Sequence, residues 1–208
     1  IFFLSFLFAV IISFTIGCAG GSDETEELKT GSAAQVSDVT ENPSEVSISD
    51  DSLGVKKIGM LSPRTGPISV FSEQYEAAAN LAVTVLNSSQ AQYRFELVIA
   101  DSGCDGSKAA ISASKLIDDG VVGIVGAACS GATLGAIQVA APARIPMVSY
   151  ASTSSTITYA DDNGYLFRIV PSDAQQAHAL AAVVADSGAI MPALLHMTND
   201  YGRGLADD

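Results

Sequence analysis

Two cysteines, one serine and a run of hydroxyls are the residues here whose types and spacing invite chemistry. Cys104 stands in ADSGCDGSKA and Cys129 in GAACSGAT, with Ser130 directly after it. A serine hydrolase elbow needs Gly-x-Ser-x-Gly, and position 128 is Ala instead. A dinucleotide site needs Gly-x-Gly-x-x-Gly in the first strand-to-helix turn, which reads Ser62-Pro63-Arg64-Thr65-Gly66-Pro67. No Gly-rich loop ending in Lys-Ser/Thr occurs either. Asp101 and Asp105 flank Cys104, but nothing pairs them as acid and base. His178 and His196 lie far apart and form no metal-ligand spacing with the cysteines, so neither a metal nor a cofactor is expected.

Recognition remains. Ser130 opens a helical stretch, where free N–H groups and the positive end of the helix dipole suit a carboxylate. The same serine could equally cap its own helix. Ser149-Tyr150-Ala151-Ser152-Thr153-Ser154-Ser155-Thr156 offers donors and acceptors for a polar headgroup, or else forms a solvated loop. Pro63, Gly66 and Pro67 make a rigid turn that brings backbone close to a cleft, or an ordinary connection.

The elements that must position these residues alternate strand and helix. Strands are predicted at Lys57–Leu61, Phe95–Ala100, Val121–Val125, Met147–Ser149, Tyr165–Val170 and Ala193–His196. Helices are predicted at Ser72–Leu86, Ser107–Ile117, Gly131–Ala140 and Asp173–Asp186. Ser72 is the expected N-cap of the first, and Ala78, Leu81, Ala82 and Val85 its buried face. Val121–Val125 is apolar throughout, as a strand covered on both faces should be. Repeated βα units predict an α/β fold with a doubly wound parallel sheet. Ligands of such sheets sit beyond the carboxyl ends of the strands, where strand order reverses. Cys104, Cys129, Ser130 and the hydroxyl run all fall at those ends.

Charge narrows the partners. The 208 residues carry a formal net charge of −13, with Lys and Arg together numbering 10. That surface repels phosphate backbones, so no nucleic-acid partner is expected. Residues 1–17 are almost wholly apolar, yet shorter than the roughly 20 needed to span a bilayer, and read as the core of a secretory signal. Thr15-Ile16-Gly17-Cys18 follows the run and resembles the lipobox of bacterial lipoproteins, although Thr15 stands where that pattern usually has Leu. The resemblance implies acylation of Cys18 and a membrane held through lipid; a plain signal or anchor helix is the alternative. Residues 18–54 are rich in Ser, Thr, Asp and Glu without an apolar face, and read as an acidic disordered tether. In an exported protein Cys104 and Cys129 are expected to be oxidised to each other, against the alternative of two buried thiols. Closing a loop of about 25 residues stabilises by about 3 kcal/mol in the chain-entropy model. The chain opens on Ile1 and runs out in a helical pattern, so a piece of a longer protein is expected.

In order, IGMLSPRTGPISVF, ELVIADSGCDGSKA, VVGIVGAACSGAT, IPMVSYAST, LFRIVPSDAQQ and NDYGRGLA resemble the solute-binding proteins of bacterial branched-chain amino-acid uptake systems. The resemblance runs from Val55 to the end. It implies two Rossmann-like lobes, the first nearly complete at 55–172 and the second begun at 173–208 and truncated. It implies capture of a small ligand, an amino acid or similar, for an ABC transporter permease, in the periplasm or on the cell surface, without enzymatic activity. Carried over residue by residue, Ser130, Ala151 and Thr153 match positions that hold the ligand's carboxylate and amino groups, and Phe71 matches an aromatic that packs on it. Tyr201 matches a second-lobe aromatic that closes over it, and Cys104–Cys129 matches the family's disulfide. Tyr150 departs from the pattern, which commonly has Pro there. A ligand-sensing receptor ectodomain shares the same fold and is the alternative function.

Overall fold

The computed structural model describes residues 54–89 and 92–208. The apolar run of residues 1–17, Cys18 and the acidic segment as far as residue 53 lie outside these described residues. Five strands form one parallel sheet: β1 (Gly54–Ser62), β2 (Tyr93–Asp101), β3 (Val121–Val125), β4 (Met147–Ser149) and β5 (Leu166–Arg168), in the order β2-β1-β3-β4-β5. The chain leaves β1 toward β2 on one side and later returns to pair β3 on the other. Strand order thus reverses at β1, and the crevice expected at such a reversal opens beyond Ser62 and Val125.

Helices α2 (Gly106–Asp118) and α3 (Ser130–Ala140) cover one face. Their contact is made of small residues, with Ala109 and Ala113 of α2 and Ala132 and Ala136 of α3 all buried in one cluster with Leu61, Leu116, Ile124, Ile137 and Met147. The approach is so close that a Cβ on Gly135 would fall on the carbonyl of Gly106. Asp105 caps α2, accepting from the N–H of Lys108 at 2.8 Å.

The other face is covered unevenly. Helix α1 (Ser72–Ser89) packs against β2 and β1. The face it turns inward carries Tyr75, Ala79, Val83 and Leu86, each half-buried. The predicted face is the outward one: Leu81 is 65 % exposed and Val85 57 %. The sequence pattern misled because small and apolar residues occupy both sides of this helix. Ser72 does not cap α1; a 3₁₀ turn, Ser69–Phe71, runs straight into the helix, and Ser72 already has helical dihedrals. Further along the sheet Val125, Val148 and Phe167 stand side by side in register. Their strand neighbours Ile124, Met147 and Leu166 face the covered side. Phe167 is 55 % exposed, and no described helix covers this part of the sheet.

Two further helices, α4 (Asp173–Asp186) and α5 (Asp200–Asp207), follow β5. Between them Ala193–His196, predicted as a strand, is neither strand nor helix and is exposed. A β-strand exists by pairing, and none of the described strands lies beside this segment.

The loops that bound the crevice are tied by charge. The Asp101 carboxylate, at the end of β2, accepts from the Thr65 N–H (3.1 Å), the Thr65 hydroxyl (2.8 Å), the Gly103 N–H (2.8 Å) and Lys108 Nζ (2.6 Å). Burial alone would raise its pKa; these donors outweigh burial and hold the carboxyl at about 2. Gly66, at φ +96°, meets the same junction so closely that a side chain there would strike the Gly103 carbonyl. Arg64 adds an ion pair to Glu76 of α1, 2.7 Å from its oxygen.

Two outcomes are expected. Gly135→Ala should destabilise the fold by about 2 kcal/mol despite its better helix propensity, because the clash is with backbone and no rotamer relieves it. Thermal melts should show a fall of about 5 °C; an unchanged midpoint would mean that α2 and α3 can separate freely. For Asp101, whose folded pKa lies below the ordinary 3.8, the clamp's contribution is complete above about pH 4 and is lost as pH falls toward about 2. The stability gap between wild type and Asp101→Asn should therefore stay constant from pH 7 to 4 and close below it.

Candidate functional site

Beyond the carboxyl ends of the strands lies a cavity of about 510 Å³, a size suited to a small solute. The loop after β1 supplies Pro67 and Ile68, and the β2 loop supplies Cys104, Asp105 and Gly106. The β3 loop and the start of α3 give Ala128 to Gly131, and the β4 loop gives Ala151 and Thr153. Met197 and Asn199 to Tyr201 form the remaining wall. Four residues marked from the sequence (Ser130, Ala151, Thr153 and Tyr201) therefore share one cavity. Phe71 does not line it. Its ring folds back toward α1, 6.3 Å from the Tyr75 ring, while Pro67 and Ile68 of the same loop face the cavity. The three-residue 3₁₀ turn ending in Phe71 makes this reversal.

Cys104 and Cys129 are joined in a disulfide with Cα atoms 5.2 Å apart, inside the normal range. The bond links the loops after β2 and β3 and presents sulfur to the cavity wall. With Pro67, Ile68 and Met197 it makes that wall apolar.

The polar groups divide by role. Ser130 is the first residue of α3, with Cys129 at the N-cap position, so Ser130 does not cap its own helix. Its hydroxyl oxygen accepts from the Ser154 N–H at 3.3 Å. Its hydrogen is thereby left for an acceptor in the cavity, beside the N-terminal amides of α3. Thr153 is the opposite case. Its hydroxyl donates to Asp173 Oδ2 at 2.8 Å, so toward the cavity that oxygen can only accept. Asp173 is 4 % exposed, the first residue of α4, and its own N–H donates to the Thr153 carbonyl at 2.8 Å. The sequence placed Asp173 at the start of a helix, and nothing in it marked the bond to Thr153, twenty residues upstream.

The rest of the hydroxyl run serves the protein itself. Ser152 is 1 % exposed and donates to the carbonyls of Ala127 and Ala128 at 3.0 and 3.2 Å. Its oxygen also lies 2.7 Å from that of Thr133, which accepts from the Ala127 N–H. Ser149 donates to the Ala127 carbonyl at 2.7 Å. These bonds lock the β4 loop onto the β3 loop and leave only Ala151 and Thr153 facing the cavity. Tyr150, beside them, turns away: its hydroxyl donates to the Leu61 carbonyl at 3.2 Å, and its ring lies 5.0 Å from Tyr75. Burial pushes its phenol well above the ordinary tyrosine range.

On the far wall Asn199 caps α5, accepting from the Gly202 N–H at 2.9 Å. The cap fixes Asp200 and Tyr201 in the first turn of α5. The Asp200 carboxylate lies against Gly131, and the Asp200 carbonyl accepts from Ser154 at 3.3 Å. The cavity therefore combines an apolar wall, one directed donor, one directed acceptor and two acidic residues, Asp105 and Asp200. Among the described residues no cluster of three His, Cys, Asp or Glu side chains could hold a metal, and no helix is long and apolar enough to cross a membrane.

The chain is 29 % identical over 157 residues to a leucine-, isoleucine-, valine-, threonine- and alanine-binding protein of Pseudomonas aeruginosa, covering 73 % of this chain and 41 % of that protein. Among solved structures it resembles a leucine-binding protein of Thermotoga maritima, with TM-score 0.59 and 26 % identity over 73 % of this chain and 43 % of the other. It shares the fold of a Rhodopseudomonas palustris ABC-transporter solute-binding protein in complex with 3,4-dihydroxybenzoic acid, with TM-score 0.64 and 24 % identity, covering 74 % of this chain and 42 % of that one. The chain spans less than half the length of each of these proteins. Residues 56–208 match the family described as periplasmic binding protein. The chain, with its switch-point cavity and tied loops, belongs to that family, and proteins that bind branched-chain amino acids are among its relatives.

Proposed function

We propose that this protein captures a small zwitterion, an aliphatic amino acid, and passes it to an ABC transporter permease. The observation that carries the reading is the opposed polarity of Ser130 and Thr153 in one cavity. Ser130 and the α3 amides suit the ligand's carboxylate; Thr153, backed by Asp173, suits its ammonium. The apolar wall of Pro67, Ile68, Met197 and the disulfide suits an aliphatic side chain. Tyr201 covers the ligand from the side of α5. The protein does no chemistry on what it binds, a reading supported by relatives that are binding proteins.

On this reading residues 55–172 form one lobe and 173–208 begin a second, with the segment between β5 and α4 as the crossover that bends when the lobes close. Export through the apolar leader and lipid attachment at Cys18 would hold the protein at a membrane by an acidic tether, beside its permease. A receptor with a sensing ectodomain would use the same cavity without the permease.

The aromatic acid held by the Rhodopseudomonas palustris protein offers a second ligand class. A plain carboxylic acid would meet the Asp200 carboxylate without an ammonium to offset it, and this favours the amino acid.

Titration calorimetry on the full-length, unlipidated protein tests the proposal. L-Leucine, L-isoleucine or L-valine should bind, and Ser130→Ala should weaken the affinity by about tenfold or more through loss of a bond to a charged group. Silence toward all three, with heat on adding 3,4-dihydroxybenzoate, would replace the amino acid by an aromatic acid.

A further inference from the structure

Asp173 does not line the cavity, yet it holds Thr153 from two directions at once. Its carboxylate accepts the Thr153 hydroxyl at 2.8 Å, and its N–H donates to the Thr153 carbonyl at 2.8 Å. Arg168, at the end of β5, adds Nη1 bonds to the carbonyls of Thr153 and Ser154 at 3.2 and 2.8 Å, and Nη2 bonds the Thr158 hydroxyl. Both residues flank the segment between β5 and α4, so the carbonyl and the hydroxyl of Thr153 are held from the two ends of that segment, while the Ser154 N–H goes to Ser130.

A hydroxyl carries one hydrogen and two lone pairs and normally rotates to suit its partner. Here the freedom is removed. The hydrogen is committed to a buried carboxylate, and the bond polarises the oxygen into a stronger acceptor.

We infer that Asp173 is the specificity-positioning residue of this cavity: it fixes Thr153 as an acceptor and so selects ligands bearing an ammonium over those bearing a hydroxyl at the same carbon. Asp173 acts through Thr153 and makes no contact with the ligand. The inference rests on the amino-acid reading and deepens it by assigning the ammonium preference to a residue outside the cavity wall.

The test compares two probes of equal shape, L-leucine and L-2-hydroxy-4-methylpentanoate, which share carboxylate and side chain and differ only in ammonium against hydroxyl. Calorimetric Kd values on the full-length protein should favour leucine. In Asp173→Ala the ratio of the two should fall by about tenfold, mostly through weaker leucine binding. Asp173→Asn keeps one carbonyl acceptor and should recover part of the ratio. Thr153→Val, with Asp173 intact, should lose the ratio as well, and the Thr153→Val/Asp173→Ala double variant should lose no more than Thr153→Val alone. A merely structural Asp173 would weaken both probes equally and leave the ratio untouched, which overturns the inference while the amino-acid reading stands. Should Asp173→Ala fail to fold, an unchanged ratio in Thr153→Val overturns it on its own. If the wild type binds neither leucine nor its hydroxy analogue, the amino-acid reading falls and this inference falls with it.

Discussion

Buried hydroxyls have to find partners inside the protein, and in this fold that requirement builds the cavity. Ser149, Ser152 and Thr133 are inaccessible to water, and all of them converge on the two peptides of Ala127 and Ala128. Leaving any of these groups unpaired would cost about 1–3 kcal/mol, so the loops after β3 and β4 have one arrangement that satisfies all of them. That arrangement sets Ser130 at one point of the cavity and Thr153 at another. Few hydroxyls face the cavity because most of the polar residues around it are engaged in holding the loops.

The same economy of space appears beneath the loops. Alanines and glycines at the α2–α3 contact bring the two helices close to each other, and the N-termini of both reach the crevice side by side. Larger residues there would push α3 away and carry Ser130 and the helix's free amides off the β4 loop that bears Thr153. The Cys104–Cys129 bond and the Asp101 clamp then tie three consecutive loops into one rim. The opposite face of the sheet is less finished: α1 covers only its β1–β2 side, and Val148 and Phe167 stand open. Parallel sheets are ordinarily covered on both faces.

Much of this was legible in the sequence. Every strand of the sheet and helices α1 to α4 were marked by their apolar runs, because burial on one or both faces leaves a local signature. The cavity's position followed from the topology, and Ser130 and Thr153 were marked with it by resemblance. What escaped depended on contacts across the chain. The inward face of α1 could not be chosen when Leu81, Val85, Val83 and Leu86 are alike in composition; only the packing decides between them. The hydroxyl run looked like a ligand surface, although Ser149 and Ser152 turn inward to Ala127. Phe71 was assigned to the cavity, yet a 3₁₀ turn sends its ring to Tyr75. Ala193–His196 has the composition of a strand but no described partner to pair with.

The direction of a single hydrogen is the furthest removed from sequence, and on the amino-acid reading it decides what the cavity can hold. Ser130 and Thr153 are both hydroxyl residues and would count as equivalent in any reading of residue types. Their neighbours separate them: an N–H from Ser154 makes the Ser130 oxygen an acceptor and frees its hydrogen, whereas the Asp173 carboxylate takes the hydrogen of Thr153. A ligand that presents a carboxylate to the first and an ammonium to the second satisfies both without either hydroxyl turning. A ligand with two acceptors, or two donors, leaves one of them facing a like group in a cavity that is partly closed to water. On the proposed reading, selectivity arises less from the residues that touch the ligand than from the ones that have already fixed which way those residues can point.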